Sequence, residues 1–194
     1  MYNYQNILFL IIAGFMAAIG IDINSSSMII GSMLVSPLTS PILTFIKNIF
    51  NNNYNNYYLF YELIIFILIS LLIGFIYGKF NFYNVPINKT INNNNEEIES
   101  RSDGKYYIHA FLFTFIAGIA VYLSYNKLDK SYNLTNLAGI GIGASLLPPL
   151  VNSGILFSRN TEIDNIKSAN SFMLAIINIL GLISGIITSI FLIK

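Results

Sequence analysis

The sequence predicts an all-α polytopic membrane protein, with about six transmembrane helices in two three-helix repeats. Three observations carry this expectation. First, the 194-residue chain is 55% hydrophobic and only 10% charged, with a mean hydropathy of +0.64; a soluble domain usually carries about 25% charged residues. Second, the few charges avoid the long apolar stretches, which is the pattern of membrane-spanning segments. Third, one unusual segment occurs twice. Residues 31–43 read Gly-Ser-Met-Leu-Val-Ser-Pro-Leu-Thr-Ser-Pro-Ile-Leu, and residues 143–155 read Gly-Ala-Ser-Leu-Leu-Pro-Pro-Leu-Val-Asn-Ser-Gly-Ile. At an offset of 112, Gly31 falls on Gly143, Leu34 on Leu146, Pro37 on Pro149 and Leu38 on Leu150.

The apolar segments follow in order. The first runs about 6–21, with Tyr2 and Tyr4 available as interfacial anchors; no basic residue precedes it, so it reads as a retained helix and not a signal peptide. The second, about 27–46, contains the first proline break. The third, Leu59–Gly78, would extend about 30 Å at 1.5 Å per residue, one hydrocarbon thickness. The fourth runs about 107–125. The fifth, about 134–157, contains the second break, and the sixth covers about 169–193. The chain therefore divides into a first repeat over 1–80, a polar linker over 81–106 and a second repeat to residue 194. Within the linker, 92–104 has no apolar periodicity and reads as a mobile connection.

If every segment spans, the second and fifth cross in opposite senses, and the halves are inverted repeats. If those two segments are re-entrant hairpins, both enter from the same side and the repeat is parallel. The spanning, inverted arrangement, with the second and fifth helices broken at proline, is the expected one, and the parity of crossings tests it.

Each break puts prolines and small polar residues inside an apolar stretch. Proline removes a backbone donor, and in hydrocarbon the defect is tolerated only where protein or a water-lined cavity satisfies the freed groups. Paired, interrupted segments in two halves of a chain point to a transport site. In the first break Ser36 precedes Pro37 and Ser40 precedes Pro41, good pairs for starting a half-helix, and Thr39 adds a hydroxyl. The start of a half-helix suits an anion or polar group, and the end of the preceding one offers carbonyls to a cation. In the second break Pro148 and Pro149 are flanked by Ser145, Asn152 and Ser153. The plain alternative is a pair of kinked helices whose prolines serve packing.

Asp22 is the acid nearest the membrane between the first two segments. It reads as a loop or capping group, or as a cation or proton site if buried. Asn24 follows it among plausible N-caps. Asn178, near the centre of the sixth segment, reads as an interhelical hydrogen-bonding residue. Gly74/Gly78, Gly139/Gly143 and Gly181/Gly185 are Gly-x-x-x-Gly pairs, with Gly14/Ala18 and Thr114/Gly118 as weaker versions; such faces let helices approach closely.

Other classes find little support. The net charge is +1, which gives no electrostatic case for nucleic acid. There is no cysteine, and the single histidine, His109, sits at the start of the fourth segment. Metal sites, resident cofactors and nucleophilic or general acid–base catalysis are not expected.

At the two breaks the chain resembles the integral-membrane family catalogued as domain of unknown function 389, also called the uncharacterised hydrophobic domain. Members carry a segment like Asn-Ser-x-x-x-x-Ile-Gly-Ala-Met-Leu-Ile-Ser-Pro-Leu-Met-x-Pro-Ile, matched here from Asn24 to Ile42. They also carry Ala-Leu-Leu-Pro-Pro-Leu-x-x-x-Gly-Ile, matched from Ser145 to Ile155. This chain departs at Ser32, Val35, Thr39 and Ser145. The resemblance covers essentially the whole chain and implies a compact multi-helix membrane domain, without a substrate.

The expected function is a small channel or transporter for ions or small polar solutes, with the breaks as pathway. Its partners would be the lipid bilayer and further copies of the chain, since six short helices enclose little volume. The alternative is a non-transport scaffold or sensor.

Overall fold

The structure, a computed structural model, describes residues 4–42, 44, 48, 57–80, 96–126 and 145–193. Regular secondary structure among them is helical throughout. The elements are α1 (Tyr4–Asp22), α2 (Ser26–Val35), a 3-10 turn (Pro37–Thr39), α3 (Tyr57–Phe80), α4 (Glu96–Ser102), a second 3-10 turn (Gly104–Tyr106), α5 (Tyr107–Asn126), α6 (Leu147–Arg159) and α7 (Glu162–Ile193). Four stretches are long and apolar enough to cross a membrane: α1, residues 58–80 of α3, residues 104–121 leading through α5, and 162–192 of α7. Large apolar side chains such as Phe9, Ile64, Leu68, Phe113, Ile116 and Leu180 are exposed on their outer faces. This is the surface of a multi-pass membrane protein, in which lipid covers what water would not.

Short local signals set the boundaries. α1 ends in a left-handed residue, Asn24 at φ 57°, with the Ser25 amide donating to the Gly20 carbonyl at 2.8 Å and the Asn24 amide to the Ile21 carbonyl at 3.3 Å. This is the paired hydrogen-bond pattern that closes many helices, and asparagine tolerates the conformation. α2 then turns back along α1, with Ile29 against Gly20 and Gly31 opposite Met16. α7 starts with an N-cap: the Asp164 amide donates to Thr161 Oγ1 at 3.1 Å, and that hydroxyl donates to Asp164 Oδ2 at 2.8 Å. The cap makes the helix seven residues longer than its apolar segment, which begins near residue 169.

Two crossings of small residues hold the bundle together. A Cβ on Gly74 would collide with the Val151 carbonyl, and one on Gly78 with Ser158 Oγ. From the other side, a Cβ on Gly154 would strike the Leu71 carbonyl. α3 and α6 therefore touch backbone to backbone, running parallel. In the second crossing Gly118 faces the Leu182 carbonyl, Gly181 faces Thr114 and Gly185 faces the Phe115 carbonyl, so α5 runs parallel to α7. α1 runs alongside α3, with Gly14 opposite Ile73 and the Tyr77 hydroxyl donating to Asp22 Oδ2 at 3.0 Å. α7 follows α6 through a left-handed residue, Asn160, and returns antiparallel to it. Thus α1, α3 and α6 point one way, and α2, α5 and α7 the other. The core lies where α1, α3, α6 and α7 meet, around Leu10, Ala17, Phe66, Leu150, Leu156 and Leu182.

The polar linker needs a correction. Its portion over 92–104 was expected to be unstructured, yet Glu96–Ser102 is a helix docked on α6 and α7, with Ile98 and Ser102 buried. A single apolar residue in seven gives no periodicity, so the docking rests on long-range contacts. The Glu97 amide donates to Asn24 Oδ1 at 3.0 Å, the Ser26 hydroxyl bonds the Glu97 carboxylate, and Lys167 pairs with Glu99.

Candidate functional site

The first break is a true interruption. α2 stops at Val35, Ser36 is extended at φ −69° and ψ 126°, and Pro37–Thr39 form a 3-10 turn. Ser36 Oγ accepts from the Leu38 amide at 3.3 Å and so caps the turn. Pro37 has no N–H to give the Met33 carbonyl, which thereby loses the partner a continuous helix would supply. Residues 40–42 are helical again, so Ser40 and Pro41 start the continuation. α2 has ten residues, which places the break about 15 Å from the end of the bundle where α1 and α2 join.

The second break sits at the start of α6, whose first turn holds Pro148 and Pro149. The residue before that turn, Ser145, is left-handed at φ 40°, a conformation uncommon for serine and one that turns the chain into the helix. The half of the segment preceding it, with Gly139 and Gly143, lies outside the described residues. α6 is 13 residues long, so its start lies about 20 Å from its far end, again within the thickness of a bilayer. Met33, Ser36, Leu38 and Thr39 from the first break and Leu146 and Leu147 from the second line one small cleft. The two motifs, 112 residues apart in sequence, therefore meet in space.

Beyond the cleft, α6 carries a buried polar cluster. Asn152, fully buried, directs Nδ2 at Ser102 Oγ (3.2 Å) and Ser171 Oγ (3.1 Å), with the Ile98 carbonyl at 3.4 Å. Ser102 donates its own proton to the Ile98 carbonyl and Ser171 donates to the Pro149 carbonyl. Both hydroxyls are thus left as acceptors toward Asn152, which fixes the orientation of its amide. Ser153 and Ser168 bond each other at 3.1 Å, and Ser168 also donates to the Ser153 carbonyl. On α7, Asn178 Nδ2 donates to the Ser145 carbonyl at 3.2 Å, a contact that only the amide nitrogen can make. The side-chain oxygens of Asn152 and Asn178 are buried with no hydrogen-bond partner among the described residues.

Asp22 and Asn24 lie elsewhere. Both sit at the end of the bundle, Asp22 against the Tyr77 hydroxyl and Asn24 in the turn that receives α4. Ser36, Pro37, Thr39, Ser40 and Pro41 stay with the first break, while Ser145, Pro148, Pro149, Asn152 and Ser153 form the second. Ser102 and Ile98 escaped the sequence reading, because nothing in the linker signals that it will reach α6. Gly154 and Ser158 escaped it as well; their spacing of four was the available sign.

The electrostatics of α4 are those of a latch at the bundle end. Burial works against ionisation of Glu97, but the Ser26 hydroxyl and the Arg101 guanidinium outweigh it and hold the carboxyl below its ordinary range. Among the described residues, no group of three or more His, Cys, Asp or Glu side chains could hold a metal ion.

A family model described as "Domain of unknown function (DUF389)" matches residues 33–184, a span that includes both breaks from Met33 onward. No curated protein and no solved structure matches the chain.

Proposed function

Since the chain belongs to the DUF389 family, whose description carries no activity, we propose from the geometry that it is a small channel or carrier, moving ions or small polar solutes along the two proline breaks. The observation that carries this reading is the shared cleft: Ser36 and Thr39 of one break face Leu146 and Leu147 of the other, about midway through the bundle. Broken helices meeting at mid-depth are how transporters present backbone groups to a solute inside hydrocarbon.

Helix direction supports a six-crossing, inverted arrangement. α1 and α3 run parallel, which fits a second segment that crosses between them. α5 and α7 run opposite to α1 and α3, as the first and third members of an inverted half would. Re-entrant second and fifth segments would leave α1 antiparallel to α3. Further copies of the chain would complete a pathway too narrow for one bundle, and the Gly-x-x-x-Gly faces of α3 and α7 are already occupied within it.

The test is electrical. Purified protein in a planar bilayer should give discrete current steps, or solute uptake in sealed vesicles, lost in a Pro37→Ala/Pro149→Ala double variant that retains its helical content. Well-folded wild-type protein that passes neither current nor solute would leave the scaffold or sensor reading in its place.

A further inference from the structure

We propose that the seam between α6 and α7, at the second break, offers a monovalent cation two successive stations, the side-chain oxygen of Asn178 and that of Asn152. This deepens the transport reading, on which the ion's movement, though not its binding, rests.

The polar chemistry of the seam is lopsided. A helix start ordinarily offers free N–H groups and favours anions. Here Pro148 and Pro149 occupy the first turn of α6 and supply none. Three side-chain donors around the break are spent internally: Asn178 Nδ2 on the Ser145 carbonyl, Asn152 Nδ2 on two serine hydroxyls, and the Ser171 hydroxyl on the Pro149 carbonyl. Among the described residues, the buried side-chain atoms left without a partner are two amide oxygens. Asn152 is 0% exposed and Asn178 3%, so bulk water does not solvate them. A buried acceptor without a partner costs roughly 1–3 kcal/mol, and a native structure that keeps two is explained by a group that comes to them. That group must be a cation or a hydrogen-bond donor; an anion would meet only lone pairs.

The charge of the ion follows from what is missing. Both oxygens are neutral, and Asp22, the nearest acid in sequence to the first break, is held at the bundle end by Tyr77. Divalent ions are bound by sets of carboxylates, and no such group exists among the described residues. Neutral amide and backbone oxygens suit a monovalent ion that keeps part of its hydration shell. Asn152 sits beside Ser171, and Asn178 is seven residues further along α7, so the two oxygens are stations about 10 Å apart on one seam.

Equilibrium binding of radioactive sodium and rubidium ions to the purified full chain in detergent decides this, with ionic strength held by N-methylglucamine chloride. Saturable binding of at least one ion is expected. Asn178→Leu should weaken it about tenfold, and Asn178→Asp, which adds a charge at the same atom, should tighten it about tenfold. Exchanging chloride for gluconate should change nothing. If the leucine variant fails to fold, the aspartate variant decides alone. No saturable binding of either ion, or binding indifferent to the aspartate substitution, would overturn the site and assign the two oxygens to ordered water. Cation binding without flux would keep the site and remove the transport reading; anion-selective currents would keep transport and remove the cation site.

Discussion

The two proline breaks share a sequence and differ in surroundings. The first is half-buried and satisfies itself locally: Ser36 caps its own turn, and Thr44 donates back to the Ser40 carbonyl at 2.9 Å. The second is buried from Leu146 to Leu156 and knitted to distant elements, with Asn152 bound to residues of α4 and α7, Ser153 to Ser168, and the Ser145 carbonyl to Asn178. Proline at equivalent positions therefore does not impose an equivalent site. The break fixes only which backbone groups are released, and the neighbours decide whether other side chains take them up. The second break is the anchored half of the pair, and the first is attached mainly through its own chain.

The largest effect should come from prying the second break off its support. Gly154→Val would force a side chain into the α3 backbone and is expected to cost at least about 3 kcal/mol, read as loss of the folded species by size-exclusion and thermal unfolding in detergent. A folded variant of unchanged stability would mean that α3 and α6 do not meet backbone to backbone. Next, Asn152→Leu should destabilise by about 1–3 kcal/mol, because two serine hydroxyls lose their donor and α4 loses its inner contact. At the first break, Ser36→Ala should cost only about 0.5 kcal/mol, one long local cap. An equal cost for Asn152→Leu and Ser36→Ala would erase the distinction between the breaks.

The smallest effect concerns α4. Because the folded carboxyl of Glu97 titrates below its ordinary value, its stabilising contribution is full above that value, near 4.5, and is lost as pH falls through the depressed one. Hydrogen-exchange protection across 96–102, corrected for the intrinsic pH dependence of exchange, should therefore weaken on acidification, corresponding to less than about 1 kcal/mol, and Glu97→Gln should remove that dependence. Protection that weakens as pH rises, after the same correction, would reverse the sign and refute this account of the latch.

Much of this was legible in the sequence because it is local. Proline positions mark the breaks, apolar runs mark α1, α3 and α5, and the Gly74/Gly78 and Gly181/Gly185 spacings mark faces of close approach. The partners of those faces were not legible. Gly74 could meet any small residue, and that it meets Gly154 depends on how α3 and α6 cross. The same holds for Asn152: its place beside the break is visible in the sequence, but its partners Ser102 and Ser171 lie 50 and 19 residues away. Asp22 shows the opposite case, an acid suggestive in the sequence whose carboxylate the fold ties to Tyr77.

The most direct test asks whether water reaches the meeting point of the two breaks. The chain contains no cysteine, so single cysteines can be introduced without background. Thr39→Cys, in the cleft, and Leu68→Cys, on the outer face of α3, would be compared in sealed proteoliposomes with a small water-soluble thiol reagent. Reaction at residue 39 but not at 68, with flux blocked by the modification, is the predicted result. Two equally unreactive cysteines in folded, flux-competent protein would contradict a polar pathway through the breaks.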